Sequence, residues 1–319
     1  MKKDLLGIRD MTTKEIRHLL KMAKEEKPKV GNKNLRDNAL KNLSLTTLFY
    51  ENSTRTKLSF LLAGEYLGAM ADDLNISTSS VSKGETLIDT GITLDRMGTN
   101  IIVIRHGMVG SAHLLARNVN ACVINGGDGS NEHPTQALLD LFTIQENKGS
   151  DFSKLKVTIL GDIANSRVAR SNVFGLTKLG AEVTLAGPST LVSKNMEALG
   201  AKVTNDVKEA IKDADVIMGL RVQLERQKAC NFPSLAEYAH FFGLNSEHLK
   251  YAKEDALIMH PGPVNRGVEL STELIDGDRS LMYDQVENGV AMRMAILKYL
   301  AASAVSVVER PHHLMKVAI

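Results

Sequence analysis

The chain contains no tryptophan, and aromatic residues make up only 4 % of it. A surface that grips nucleic acid by stacking bases on rings is therefore a poor fit. Neither sign of charge is in excess: 39 Lys and Arg stand against 37 Asp and Glu, for a formal net charge of +2. Nothing resembles the basic stripe that tracks a phosphate backbone. The Lys-rich stretch Lys21 to Lys29 also holds Glu25 and Glu26, as a solvated helix end would. No apolar run reaches the roughly 20 residues that span a bilayer. The opening residues Lys2, Lys3, Asp4, Leu5 and Leu6 lack the apolar stretch of a secretion signal. The two cysteines, Cys122 and Cys230, have no CxxC spacing, and no His, Cys or Asp cluster has metal-ligand spacing. These absences point to a cytoplasmic protein with reduced thiols, no metal, and neither nucleic acid nor membrane as partner.

What is present is a repeating pattern. With 319 residues, 43 % of them apolar, the chain is long enough for two domains with a full core each. Short apolar runs predict strands at Leu45–Tyr50, Ile101–Ile104, Ala121–Ile124, Val157–Leu160, Val183–Ala186, Val216–Leu220 and Leu257–His260. Amphipathic stretches lie between them, such as Leu58, Leu61, Leu62 and Tyr66. That alternation predicts an α/β fold with mostly parallel sheets and helices on both faces. The polar segment Glu146 to Lys156 reads as a junction, giving domains at 1–145 and 146–285. A long apolar-striped helix over about 286–305 is expected to pack back on the first domain, so that helices join the two.

The strongest local signal is Phe49 through Phe60, which contains Ser53-Thr54-Arg55-Thr56. A strand ends there and a helix begins. Free N–H groups at a helix N-terminus attract an anion, and the helix dipole adds to that attraction. Three hydroxyls and a guanidinium suit phosphate oxygens. Simple capping by Ser53 or Thr54 is the competing explanation, but Arg55 in the first turn opposes the dipole and needs another reason. Elsewhere, Gly161-Asp162 follows a strand but lacks the remaining glycines of a dinucleotide loop.

Ser53-Thr54-Arg55-Thr56 resembles the carbamoyl-phosphate loop of the aspartate and ornithine carbamoyltransferases. Six further motifs follow in the same order. They are Ser79–Thr86 around Lys83, Arg105-His106, His133 to Asp140, Gly161-Asp162 with Ser166–Arg170, Arg221–Arg226, and His260–Gly267. The ornithine branch carries a His-Cys-Leu-Pro segment where this chain has His260-Pro261-Gly262-Pro263, without a thiol. Lys83 and Arg221-Val222-Gln223 match the aspartate branch, so aspartate is the expected acceptor.

The resemblance implies a set of roles. Carbamoyl phosphate would bind first, among Ser53, Thr54, Arg55, Thr56, Arg105, His133 and Gln136. Gln136 and the backbone near Gly262 and Pro263 would hold its NH2. Thr56, Arg105 and His133 would converge on the carbonyl oxygen, while His106 and His260 would be structural or supporting. Arg167 and Arg221, assisted by Gln223 and Lys83, would hold L-aspartate. Glu51 would latch the domains through Arg167 and Arg226. The Lys83 loop would reach a neighbouring subunit's cleft in a homotrimer with shared active sites. No cofactor is implied. Regulatory chains or other pathway enzymes stay open as further partners, and so do an unusual acceptor amine or a catalytically dead, carbamoyl-phosphate-binding homologue.

Overall fold

The computed structural model describes residues 3–222 and 234–308. The first domain runs through α1 (Thr13–Glu26), β1 (Ser44–Phe49), α2 (Thr54–Tyr66), β2 (Met70–Leu74) and α3 (Leu87–Arg96). It continues with β3 (Ile101–His106), α4 (Ser111–Asn118), β4 (Cys122–Asp128) and α5 (Pro134–Lys148). The second holds β5 (Lys156–Leu160), α6 (Arg167–Leu179), β6 (Glu182–Ala186), β7 (Lys202–Thr204), α7 (Val207–Ile211) and β8 (Val216–Gly219). After it come α8 (Leu235–Phe242), β9 (Leu257–Met259), α9 (Thr272–Ile275) and α10 (Met282–Val308). Two sheets result, ordered β2-β1-β3-β4 and β7-β6-β5-β8-β9, and every pairing between these strands is parallel.

Each expected strand is present, and two unexpected ones complete the edges. Both are weakly apolar. Met70-Ala71-Asp72-Asp73-Leu74 is exposed or half-buried throughout, as is β7. Polar side chains blunt an edge strand and remove the pattern by which a strand is read. The face of α2 also differs from expectation. Thr56, Ser59, Phe60, Ala63, Gly64 and Tyr66 are buried, whereas Leu58 and Leu62 are exposed. Gly64 and Ala63 let the helix lie close on the sheet, and the bulkier leucines face out.

α10 packs against α1, α2 and α5, and α5 packs against α6 of the second sheet. A division at 145/146 therefore falls within the last turn of α5. Burial explains the arrangement: from Pro134 to Ile144 every residue of α5 is buried. Leu138, Leu141 and Phe142 of α5, Met292 and Ile296 of α10, and Val173 and Leu176 of α6 share one apolar core. A charged network fastens the last helix to the first. Lys298 reaches Glu26 at 2.7 Å, and Lys29 reaches the same carboxylate at 2.6 Å. No described helix is long and apolar enough to cross a membrane.

Candidate active site

The candidate residues lie just past the C-terminal ends of the strands, the ligand side of an open parallel sheet. The Ser53–Thr56 loop follows β1, and Arg105 lies near the end of β3, its neighbour in the sheet. The order of the first sheet reverses between these two strands. In the second sheet it reverses between β5 and β8, and Arg167 follows β5 while Arg221 follows β8. Reversal leaves a crevice, because successive crossover helices go to opposite faces. Each sheet therefore presents two guanidiniums at its own crevice.

Ser53 is the N-cap of α2, but its side chain makes no capping hydrogen bond. Capping is thus not what this hydroxyl does in the described chain. Thr54 and Arg55 are exposed in the first turn, and Thr56 is buried. The Arg55 guanidinium lies against Gly262: a Cβ placed on that glycine would sit 2.8 Å from the guanidinium carbon. Gly262 also has φ +61°, a backbone that favours glycine. Desolvation lowers the pKa of Arg55; a guanidinium remains charged regardless.

Glu51 bridges the two sheets. Its Oε2 accepts from Arg167 Nη2 at 2.6 Å and stands 3.5 Å from Arg105 Nε. Arg167 is 3 % exposed, and its Nη1 donates to the Gly129 carbonyl at 3.3 Å. Gly127 makes room for it, since a Cβ there would lie 2.7 Å from Arg167 Nε. Arg105 Nη1 donates to the Gly126 carbonyl at 3.4 Å. The glycines of Gly126-Gly127-Asp128-Gly129 thus line the path of both guanidiniums. Three glycines at a strand end, separated by three residues from His133-Pro134, are a signal legible in the sequence itself.

His133 caps α5, where Pro134 at the first position suits the helix start. Its backbone N–H donates to Ser171 Oγ at 2.9 Å, and Ser171 Oγ donates to Glu132 Oε2 at 3.0 Å. Glu132 also accepts the Ile8 N–H at 2.7 Å, and burial raises its pKa. The ring of His133 stays close to the start of its own helix, with Nδ1 3.5 Å from Thr135 Oγ1. Gln136, one turn along, donates from Nε2 to Asp140 Oδ1 at 2.9 Å. An ionised carboxylate only accepts, so this bond turns the amide oxygen of Gln136 away from Asp140.

His260 follows β9 and is buried. Its Nδ1 accepts the Gly262 N–H at 2.8 Å, and its Nε2 stands 3.3 Å from Glu269 Oε1. Burial lowers its pKa, Glu269 opposes that, and the nearby Arg55 and Arg221 add to it. His106 accepts the Met108 N–H at 2.9 Å and lies 4.6 Å from the Tyr50 ring. Both histidines are thus engaged in holding loops. Lys83 is exposed in a short turn, Ser80–Lys83, ahead of Gly84, and its side chain makes no hydrogen bond or ion pair to any described residue. The single chain does not join it to the cleft. Pro263 is exposed beside Gly262, and Gln223 and Arg226 lie outside the described residues.

Comparison with known proteins matches the chain in two parts. Residues 3–146 match the aspartate/ornithine carbamoyltransferase carbamoyl-P binding domain, and residues 153–300 match the Asp/Orn binding domain of the same enzymes. The chain belongs to the aspartate/ornithine carbamoyltransferase family. Within that family it is 61 % identical over 298 residues to the aspartate carbamoyltransferase catalytic subunit of Acetivibrio thermocellus, covering 93 % of this chain and 95 % of the relative. The catalytic subunit from Caldanaerobacter subterraneus is 56 % identical, with 94 % and 98 % covered. Among solved structures, aspartate transcarbamoylase from Trypanosoma cruzi, bound to carbamoyl aspartate and phosphate, superposes with a TM-score of 0.82 at 29 % identity. That match covers 93 % of this chain and 95 % of the other. Ornithine carbamoyltransferase from Pyrococcus furiosus gives 0.80 at 33 % identity, covering 92 % and 96 %. The fold is thus common to both branches, whereas the high-identity relatives carry the aspartate name.

Proposed function

We propose that this chain transfers the carbamoyl group of carbamoyl phosphate to the α-amino group of L-aspartate. The products are N-carbamoyl-L-aspartate and phosphate, an early step of pyrimidine biosynthesis. The observation that carries the reading is the set of guanidiniums at two facing crevices, Arg55 with Arg105 and Arg167 with Arg221, with Glu51 bridging two of them. A phosphate and a dicarboxylate both want such cations, whereas an ornithine ammonium would be repelled. In this reading residues 1–145 bind carbamoyl phosphate and residues 146–285 bind aspartate.

The chemistry is an acyl transfer. The amine nitrogen attacks the carbonyl carbon, the C–N bond forms, and the C–O bond to phosphate breaks. Thr56, Arg105 and His133 donate to the carbonyl oxygen as it gains negative charge, which favours the transition state over the ground state. Gln136 and the backbone near Gly262 and Pro263 accept from the carbamoyl NH2. Arg167 and Arg221, with Gln223 and Lys83, orient aspartate, and orientation alone supplies several kcal/mol. The departing phosphate takes the ammonium proton, so the reaction as written needs no metal, cofactor or protein base.

The assembly proposed is a homotrimer in which Lys83 completes a neighbour's cleft. Support comes from the exposure of Lys83 and from Leu58 and Leu62, which are 51 % and 42 % exposed on α2. Leu58 and Leu62 lie one helical turn apart, and neighbouring exposed apolar side chains suit a surface for another chain. A cytoplasmic location fits the composition. The decisive test is release of phosphate from carbamoyl phosphate with a panel of amino acids, followed by product identification. Aspartate alone should give turnover; ornithine-dependent turnover, or none with any amine, would refute the assignment.

A further inference from the structure

Asp140 is a fully buried carboxylate and the one acid among the buried residues of α5, and the transfer chemistry gives it no task. Its surroundings are specific. Oδ1 accepts from Gln136 Nε2 at 2.9 Å and from Gln285 Nε2 at 2.7 Å, and Oδ2 accepts from Asn172 Nδ2 at 2.8 Å. Gln285 Oε1 in turn accepts the His260 N–H at 2.9 Å. One continuous chain of hydrogen bonds therefore runs from Gln136 on α5, through Asp140 and Gln285 of α10, to the backbone that leads into Gly262 and Pro263. Arg293, also fully buried, biases Asp140 toward its charged form from the same helix as Gln285.

We propose that Asp140 and Gln285 are positioning residues that set, together, the two acceptors of the carbamoyl NH2. This rests on the carbamoyl-phosphate reading above. The direction of each bond matters. A carboxylate offers no N–H, so both glutamines must turn their NH2 groups toward Asp140. Gln136 then presents its oxygen to the cleft, and Gln285 presents its oxygen to His260. Were either amide reversed, a donor would face the donor NH2 of the ligand or the N–H of His260. The two acceptors come from different domains, and Asp140 is the point at which their orientations are coupled. None of these hydrogen bonds is made by Ser53–Thr56 or Arg105; Arg55 meets the chain only by packing against Gly262.

The test follows from that separation. Two probes are titrated calorimetrically into the full-length protein: inorganic phosphate, and the phosphonate analogue of carbamoyl phosphate in which a methylene replaces the bridging oxygen. Only the second carries the NH2. Asp140→Asn keeps size and shape but introduces a donor. It should weaken the amide-bearing probe by roughly tenfold, about the value of one well-placed hydrogen bond, and leave phosphate within about twofold. Gln285→Leu, which cannot orient the His260 N–H, should give the same selective loss. In a Gln136→Ala background, Asp140→Asn should cost clearly less, because part of its effect acts through that amide. Equal weakening of both probes, or full additivity with Gln136→Ala, overturns the positioning role while leaving the substrate reading in place. If the parent protein binds neither probe, the substrate reading itself falls and this inference with it.

Discussion

Replacing Glu51 by Gln removes one charge and keeps the side chain's size. The partner that loses most is Arg167, 3 % exposed and held at 2.6 Å, while Glu51 itself is 26 % exposed. Breaking a fully buried ion pair costs about 3–5 kcal/mol. Exposure of one partner screens part of that, and an amide oxygen still accepts from the guanidinium. The expected loss is about 2 kcal/mol, equivalent to roughly 30-fold in an equilibrium. It should appear in kcat/KM for aspartate, because Arg167 would hold that substrate and the pair ties the second sheet to the first. Binding of carbamoyl phosphate, measured by calorimetry, should be unchanged or slightly tighter, since Arg105 loses an internal competitor at 3.5 Å. Scattering with a bisubstrate analogue bound should show a less compact variant. Tighter aspartate binding in the variant would refute the reasoning. It would mean that Glu51 competes with the substrate for Arg167 instead of supporting it.

Arg55→Ala should lower kcat/KM by at least about 30-fold, because losing a charge-assisted pair to a desolvated anion costs about 2–5 kcal/mol. Its melting point should move by no more than about 2 °C, as expected for an exposed side chain. Lys83→Ala and His133→Ala should each be nearly inactive as homotrimers, yet mixed trimers verified by mass should regain activity. Mixed trimers no better than their parents would remove the shared site. Burial raises the Asp140 pKa from 3.8 to about 6, so the folded chain binds the extra proton. Its contribution to stability is complete below about pH 4 and is lost as the pH rises through 6. A rise of about 2 in pKa corresponds to about 3 kcal/mol. Urea unfolding should therefore show the stability of Asp140→Asn, relative to the parent, improving by about that amount between pH 4 and pH 7.

The seven expected strands were legible because buried parallel strands are nearly continuous apolar runs. The β2 and β7 edges were not, because an edge strand is selected against looking like one. The face of α2 was misjudged for a related reason. Periodicity locates a stripe of leucines, but Gly64 and Ala63 decided which side could approach the sheet. At the site, residues with a chemical reason to be unusual stood out, such as Arg55 opposing a helix dipole. Residues that act by shape or by holding others did not. Gly127 matters because Arg167 fills the space its side chain would take. Gln285 lies 145 positions from Asp140, and only the packing of α10 on α5 brings them together. Asp140 itself offered a signal, a lone acid among Ala137, Leu138, Leu139, Leu141 and Phe142, all buried.

The two crevices differ in how their charge is balanced, and the difference bears on the order of binding. Arg55 and Arg167 both occupy the first turn of a helix, where the dipole disfavours a cation by about 0.3–1 kcal/mol. Arg167 finds its anion inside the chain, in Glu51. Arg55 pairs with no carboxylate among the described residues; it lies against the Gly262 backbone, and the buried His260 is nearby. Of the two, Arg55 therefore has the stronger demand for an external anion. A phosphate entering there meets guanidiniums at Arg55 and Arg105 and the N–H groups of α2, and it neutralises both cations. Glu51 is then no longer drawn toward Arg105, and its whole charge is available to Arg167, which fixes that guanidinium at the wall of the second crevice. Aspartate, arriving later, meets an arginine already oriented. We propose that carbamoyl phosphate binds first, because the chain supplies its own counter-charge at Arg167 and leaves that of Arg55 to the ligand.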